Sequence, residues 1–517
     1  MGRDVFYITT PIYYPNDVPH IGHAYDAVAA DVVARYHRLI GERVFHLTGT
    51  DEHGLKLQRA AEAAGMEPKA WVDQMEPRWR EVWSRLEIGY DDYIRTTEPR
   101  HEAAVVKLLQ AVRDNGRDDI YLGVYEGLYC VSCELYYTED ELLPGLLCPI
   151  HERPLEHMRQ ENYFFRLSAY RDRLLERYET RPESLRPTAR RNEVLSTIRG
   201  GLQDFSISRT HFDWGIPLPW DPAHVNYVWF DALTNYITAA GYGSDEARFA
   251  SMWPANIHMI GKDILRQHAI YWPAMLMAAG LEPPDLVFAH GFLTVGGKKM
   301  GKSNATAVHP FDLLDHFGVD SYRYYFVREI AFGQDGSFSW ESMVDRHNAD
   351  LANGLGNLAS RVLAMLGSSF DGAVPEDPRP AAAGDLPRIT ADVARRFAEH
   401  LDRFELTQAI GAIWEIVARA NGYLVERAPW NLAKAESPDA AEELASVLYA
   451  SAESLRILAM LISPVMPGAA ARLWSQLGLD ETAPLGEQRL PEAATWGGLK
   501  AGTRTSKGEA LFPRLDA

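Results

Sequence analysis

The first half of the sequence alternates between short β-rich runs and segments of helical spacing, and this alternation does most to narrow the fold. Val5 to Thr10 is rich in strand formers; a Pro/Asn/Asp loop follows, then apolar residues at helical spacing from about Gly22 to Ile40, stopped by Gly41. Val44 to Thr48 reads as a second strand, Gly49–Gly54 as a polar turn, and another helix ends near Gly65. Strands separated by helices line up in parallel with helices on both faces, so the expectation is α/β, a doubly wound parallel sheet of the Rossmann type. From about Gly123 to Pro222 the pattern breaks into cysteines, prolines and short strand-like pieces, which marks an insertion. Alternation returns at Tyr227, with a helix around Ala232–Ala240, a strand Ile257–Ile260, a helix from Ile264 kinked at Pro273, and a strand Asp285–Val295. After about Arg346, Leu351–Leu366, Asp392–Glu399, Leu406–Arg427 and Ala440–Ile462 carry apolar residues at helical spacing and predict an all-α bundle. The Pro/Ala/Gly stretch near Pro375–Gly384 reads as a loop or linker. The expected layout is residues 1–122 and 223–345 as two halves of one α/β domain, 123–222 as the insertion, 346–500 as the helical domain and 501–517 as a tail.

A chain of 517 residues is too long for one ordinary core, in keeping with that division. No run of about 18 or more apolar residues appears, so no membrane partner is expected. The start lacks a basic stretch followed by a long apolar one, and three cysteines do not make a disulfide framework, so the expected compartment is cytoplasmic. A formal charge of −19 argues against promiscuous nucleic-acid binding and predicts no DNA partner. It leaves specific RNA recognition open, because phosphate contacts need local Lys and Arg rather than a basic total.

Two elements carry the marks of nucleotide chemistry. His20-Ile21-Gly22-His23 lies between a strand and the start of a helix, where unpaired N–H groups and the helix dipole favour phosphate. Gly22 has no side chain to keep a nucleotide from the backbone, and two imidazoles can donate to a phosphate as its charge builds. The second element, Gly296-Gly297-Lys298-Lys299-Met300-Gly301-Lys302-Ser303, formally satisfies the P-loop pattern. A P-loop leads straight into a long helix, whereas Pro310 follows here too soon, and no good apolar strand ending in a magnesium-binding Asp lies downstream. The other reading is a lysine loop in which Lys299 and Lys302 close over a triphosphate.

His20-Ile21-Gly22-His23 resembles the HIGH motif, and Lys299-Met300-Gly301-Lys302-Ser303 the KMSKS motif, of class I aminoacyl-tRNA synthetases. Gly301 departs from the usual Ser, while both lysines remain. Thr9-Thr10-Pro11-Ile12-Tyr13-Tyr14, Thr48-Gly49-Thr50-Asp51-Glu52-His53-Gly54, Tyr227-Val228-Trp229-Phe230-Asp231-Ala232-Leu233 and Gly261-Lys262-Asp263-Ile264, continuing through His268 to Tyr271-Trp272-Pro273, resemble the methionyl branch of that class. The resemblance extends over most of the chain. It implies attack of the L-methionine carboxylate on ATP, present with Mg2+, to give an adenylate and pyrophosphate, then transfer to the 3′ end of a methionine tRNA, the initiator included. His20, His23, Lys299 and Lys302 would stabilise the transition state, and Gly22, Gly261, Asp263, His290 and Lys302 would bind ATP. By family position Ile12, Tyr14, Trp229, Ala232, Leu233, Tyr236, His268 and Trp272 line the methionine pocket, and Asp51 holds the ammonium. The spacings suit this assignment. If a helix runs through the stretch, Trp229, Ala232, Leu233 and Tyr236 share one face, and His268 and Trp272 share another. Aromatic walls suit a polarizable thioether. For any single aromatic, ordinary core packing is an equal alternative.

All three cysteines lie in Cys130-Val131-Ser132-Cys133 and Cys148-Pro149-Ile150-His151, a Cys₃His set suited to tetrahedral structural Zn2+. The alternative is three reduced cysteines that cluster without metal. Many methionyl enzymes carry a zinc knuckle in this insertion, often with four cysteines. In the helical end, Asn357, Arg361 and Trp430 resemble the family's anticodon-reading positions, so this part is expected to be the anticodon-binding domain. No separate C-terminal dimerisation domain of the kind some relatives carry is expected, so a monomer is expected. Three competing readings remain: a paralogue whose adenylate goes elsewhere or that is inactive, a P-loop NTPase, and a binding module without catalysis.

Overall fold

The computed structural model describes residues 4–130, 135–137, 142–150, 152–210, 212–295, 298–299 and 308–515. The chain divides into two compact units, one of residues 1–19, 44–84 and 89–291, the other of 20–43, 85–88 and 292–517.

The first unit is built on a six-stranded parallel sheet. Its strands are β1 (Phe6–Tyr13), β2 (Val44–Thr50), β3 (Asp92–Arg95), β4 (Leu185–Arg186), β5 (Ile257–Gly261) and β6 (Leu286–His290). They lie in the order β3-β2-β1-β5-β6-β4. The chain builds outward from β1 through β2 to β3, then returns to β5 on the other side of β1 and builds outward again to β6. The order therefore reverses between β1 and β5, and in such sheets ligands bind beyond the carboxyl ends of the strands at that reversal. Helix cover on both faces requires apolar strands, and β6 is buried at all five positions. On β2, a Cβ at Gly49 would fall 2.0 Å from the carbonyl oxygen of Ile94, so only glycine lets β2 and β3 approach. A register shift between Thr9 and Ile12 re-aims the last residues of β1.

The stretch read as an insertion opens on a long antiparallel hairpin, Ile120–Cys130 with Glu156–Phe165, paired from Ile120↔Phe165 to Tyr129↔Glu156. Leu135–Tyr137 and Phe205–Ser206 extend it to four strands. Helices Arg171–Thr180 and Thr188–Gly200 then bracket β4, which pairs with β6. Part of this stretch thus completes the main sheet.

The second unit is mainly helical. Helix Ile21–Leu39 is held in it by Arg323, whose buried guanidinium donates to Asp31 Oδ2 (2.6 Å) and to the carbonyls of Val465 (2.7 Å), Leu86 (3.0 Å) and Pro464 (3.0 Å). A buried charge satisfied this fully is tolerated, and it anchors the middle of the helix. The bundle contains helices Asn357–Phe370, Leu386–Asp402, Leu406–Arg427, Pro438–Ile462 and Pro467–Gln476. Helix Pro438–Ile462 is long and apolar enough to cross a membrane, yet its most apolar window is wholly buried inside the protein. On it Glu453 accepts from the backbone N–H groups of Gly497, Gly498 and Leu499 (2.9–3.0 Å) and pairs with Arg456 (2.6 Å), which ties the chain beyond residue 493 to the core.

Several local expectations are corrected. The strand expected over Asp285–Val295 divides into β6 and Leu293–Val295; the latter pairs with Lys298–Lys299 and Gly336–Phe338 in a separate sheet. The helix expected from Ile264 runs as a 3₁₀ turn (Lys262–Ile264), a π-turn (Gln267–Tyr271) and helix Trp272–Ala278, with Pro273 in the first turn of the last. Residues 375–384 are packed rather than a free linker, with Ala382 and Ala383 buried and Arg379 paired to Asp439 and Glu442.

Candidate active site

The carboxyl ends of four neighbouring strands of the first unit collect six of the residues singled out from the sequence. Ile12 and Tyr14 stand at and just past the end of β1, Asp51 follows β2, Gly261 and Asp263 close β5, and His290 ends β6. Gly261 is directly paired with His290. A Cβ on Gly261 would meet Asp263 Oδ1 at 2.6 Å and His290 Cε1 at 3.9 Å, so glycine lets these two side chains fold back over the strand end. Asp51 is buried, and its N–H donates to the Tyr13 carbonyl (2.9 Å). The turn behind it is pinned through Glu52, whose carboxylate accepts from Arg95 Nε (2.7 Å), Thr50 (2.8 Å) and Thr97 (2.5 Å). Lys56 lies over the Tyr14 ring, 4.6 Å from its centroid.

The helix expected to run through Trp229–Tyr236 is two six-residue helices, Val228–Leu233 and Asn235–Ala240, meeting at Thr234. Thr234 itself stays helical (φ −66°, ψ −18°), so the turn barely interrupts the face. Trp229 is partly buried, and Ala232, Leu233 and Tyr236 are buried. The Tyr236 hydroxyl donates to His268 Nε2 (2.8 Å), because the other nitrogen of that ring is committed to the Ile264 carbonyl (2.9 Å). Trp272 lies 6.1 Å from the Tyr236 ring, so His268 and Trp272 reach the same tyrosine although the π-turn alters their helical spacing.

One participant was not legible in the sequence. His258, in the middle of β5, stacks on Tyr236 (4.0 Å), accepts from Trp272 Nε1 (3.2 Å), and with its remaining Nδ1–H donates to Thr9 Oγ1 (2.9 Å). Nothing in a strand of apolar residues announces a partner on another element. Burial pushes both histidines down, His268 to about 4 and His258 well below its ordinary value, so both rings are neutral near pH 7. Ile12, Trp229, Leu233, Tyr236 and Trp272 belong to one apolar cluster. The lining is thus aromatic and uncharged, with Asp51 at the end of a neighbouring strand.

In the second unit, His20 is the N-cap of helix Ile21–Leu39. Its Nδ1 accepts from the Gly22 N–H (3.1 Å), His23 Nδ1 accepts from the His20 N–H (3.3 Å), and the two rings stack at 3.7 Å. With both Nδ1 atoms accepting, the neutral rings carry their protons on Nε2, and no acidic residue occupies the first helical turn. Such an end favours an anion. Lys299 lies in the strand Lys298–Lys299 paired with Leu293–Val295; Lys302 and Gly301 lie outside the described residues. Arg361 on helix Asn357–Phe370 places its guanidinium 5.1 Å from the ring centroid of Trp430, which is 38% exposed, and Asn357 is exposed at the helix start. Cys130 and Cys148 are buried, Cys148 in a turn closed by its own backbone bonds to Glu152 and Arg153, whereas Cys133 and His151 lie outside the described residues. Among the described residues no group of three or more His, Cys, Asp or Glu could hold a metal ion.

The doubly wound parallel sheet of the first unit and the helical bundle of the second are those of a class I aminoacyl-tRNA synthetase. A family model described as tRNA synthetases class I (M) matches residues 6–153 and 146–363, and one described as the anticodon binding domain of methionyl tRNA ligase matches residues 375–517. The chain is 50% identical to a methionine–tRNA ligase of Streptomyces coelicolor, covering 100% of this chain and 97% of that protein. It is 48% identical to one of Caldanaerobacter subterraneus, covering 99% of this chain and 79% of that protein. The solved structure of Mycobacterium tuberculosis methionyl-tRNA synthetase in complex with methionyl-adenylate matches with a TM-score of 0.93 at 43% identity, over 99% of this chain and 100% of that one. The chain belongs to the methionine–tRNA ligase family, enzymes that join methionine to tRNA at the expense of ATP.

Proposed function

We propose that this chain activates L-methionine with ATP, releasing pyrophosphate, and passes methionine to the 3′ end of methionine tRNA, the initiator among them, with its residues in the following roles. The neutral aromatic lining of Tyr236, His268, Trp272 and Trp229 carries the reading: it offers a thioether polarizable contacts and no charge. Ile12, Tyr14, Ala232 and Leu233 complete the wall, and Asp51 takes the ammonium. A protonated Lys or Arg side chain would meet no counter-charge there, and a short aliphatic one would leave space unfilled.

Gly261, Asp263 and His290 bind the nucleoside side of ATP. His20 and His23 donate Nε2–H to oxygens of the α-phosphate as the carboxylate attacks, with Gly22 letting the nucleotide approach the helix end. Lys299 and Lys302 neutralise the departing pyrophosphate, and Mg2+ accompanies ATP. No enzyme nucleophile is required; alignment and charge stabilisation supply the rate. Arg361, Trp430 and Asn357 read the anticodon, Trp430 by stacking on an unpaired base. The donor chemistry of Cys130, Cys133, Cys148 and His151 fits Zn2+ in a structural role, supported by two buried thiols, one in a tight turn. Three cysteines, too few for a disulfide framework, also favour the cytoplasm.

The test is ATP–pyrophosphate exchange run across all twenty amino acids, with His23→Ala as control, followed by charging of methionine tRNA. Exchange with methionine alone that vanishes in the control is expected. Exchange driven by another amino acid would overturn the pocket assignment.

A further inference from the structure

Among the motif residues given no role so far are His53, two positions after Asp51, and Asp231, two positions after Trp229. The fold joins them. Asp231 is fully buried, and each of its oxygens accepts one imidazole N–H at 2.7 Å, Oδ2 from His53 Nδ1 and Oδ1 from His101 Nε2. Their side chains are 0% (Asp231), 6% (His53) and 0% (His101) exposed, so these bonds are shielded from competing water. The His101 Nδ1 lies 3.3 Å from Thr238 Oγ1, on the second of the two short helices. Trp214 packs edge-on against His53 (5.4 Å), donates Nε1–H to the Glu52 carbonyl (2.6 Å) and accepts the Gly54 N–H (3.1 Å). A carboxylate buried to this depth is costly unless compensated. Here compensation is mutual: burial penalises both charges, the imidazoles hold Asp231 down at about 2, and Asp231 raises His53.

The consequence is mechanical. The turn carrying Asp51 and the short helix carrying Trp229, Ala232 and Leu233 come from distant parts of the chain, and the bond from His53 to Asp231 ties one directly to the other. Resting on the roles given above to Asp51 and Trp229, we propose that the His53–Asp231–His101 clamp is a specificity-determining ruler: it sets the distance between the ammonium anchor and the side-chain wall, and so selects the length of the amino-acid side chain. His53, Asp231 and His101 are positioning residues and touch no reacting atom.

The measurement is exchange kinetics on the full chain with methionine, S-methylcysteine (one methylene shorter) and ethionine (one longer). A methylene in a well-fitted pocket is worth about 10-fold or more in kcat/KM, so Asp231→Asn is expected to narrow the preference for methionine over at least one analogue by about 10-fold, with KM for ATP changed by less than about 2-fold. An equal fall for all three amino acids, or a parallel rise in KM for ATP, overturns the ruler. Where Asp231→Asn does not fold, His53→Ala, which removes the tie while His101 still donates to Asp231, is expected to shift the same ratios in the same direction, and unchanged ratios again overturn it. Asp51→Asn separates the two ideas. It is expected to raise KM for all three amino acids alike; without that rise the anchor assignment and the ruler fall together, whereas that rise with unchanged ratios in Asp231→Asn overturns the ruler alone.

Discussion

Replacing His268 with glutamine removes a defined part of the protein's acid sensitivity. Burial holds His268 at about 4 against an ordinary 6.5, even though its bond to the Ile264 carbonyl acts in the opposite sense. Glutamine keeps both functions, an oxygen to accept the Tyr236 hydroxyl and an N–H to reach the Ile264 carbonyl, without titrating. In the folded chain the ring resists protonation, and in the unfolded chain it does not. Between pH 6.5 and 4 the unfolded state therefore binds the extra proton, and stability falls as pH falls. Above that window the contribution is complete, and below it nothing more is lost. That depression corresponds to about 3 kcal/mol in full, of which about 2 kcal/mol is lost by about pH 5. Urea unfolding of wild type and His268→Gln, followed by tryptophan fluorescence, measures this as a difference between the two proteins, so carboxylates and the equally buried His258 largely cancel. The stability advantage of wild type over the variant is expected to shrink by about 2 kcal/mol between about pH 7.5 and about pH 5. An advantage that stays constant over that range would falsify the assignment of a buried, neutral His268.

Other outcomes follow from the same structure. Trp430→Ala is expected to lower charging of methionine tRNA by the about 1–3 kcal/mol typical of one stacked base, and to leave methionine-dependent exchange unchanged; loss of exchange would show that the side chain serves the core instead. Glu453→Gln leaves Arg456 buried without its counter-charge, with an expected loss of about 3–5 kcal/mol in urea unfolding; a loss below about 1 kcal/mol would refute the role given to this pair. Gly49→Ala drives a methyl group into the Ile94 carbonyl at 2.0 Å, and a large drop in melting temperature is expected, whereas a melting temperature equal to wild type would contradict the close approach of β2 and β3. Chelation of the purified protein is expected to release Zn2+ stoichiometric with the Cys₃His set and to destabilise the hairpin region, and protein isolated without zinc yet fully stable would remove the metal from the account.

Much of this protein is determined by its sequence alone, because the signals involved are local. Alternation of strands and helices set the fold class, and His20-Ile21-Gly22-His23 marked a helix start that the structure caps with His20. Pro310 was enough to turn the glycine-lysine segment away from a P-loop reading. Tertiary structure decided what depends on partners far apart in the chain. The pairing of β4 with β6 is one case, since a Leu-Arg pair looks like any loop until a strand about one hundred positions away accepts it. The division of Asp285–Val295 between two sheets is another, because strand propensity runs through Gly291 and only the partners differ on either side. His258 and the clamp around Asp231 are a third. A histidine on a strand or an aspartate on a helix carries no sign of its partner; only packing brings Trp272, Tyr236 and Thr9 around the one, and His53 and His101 around the other, and removes the water that would otherwise compete for those bonds.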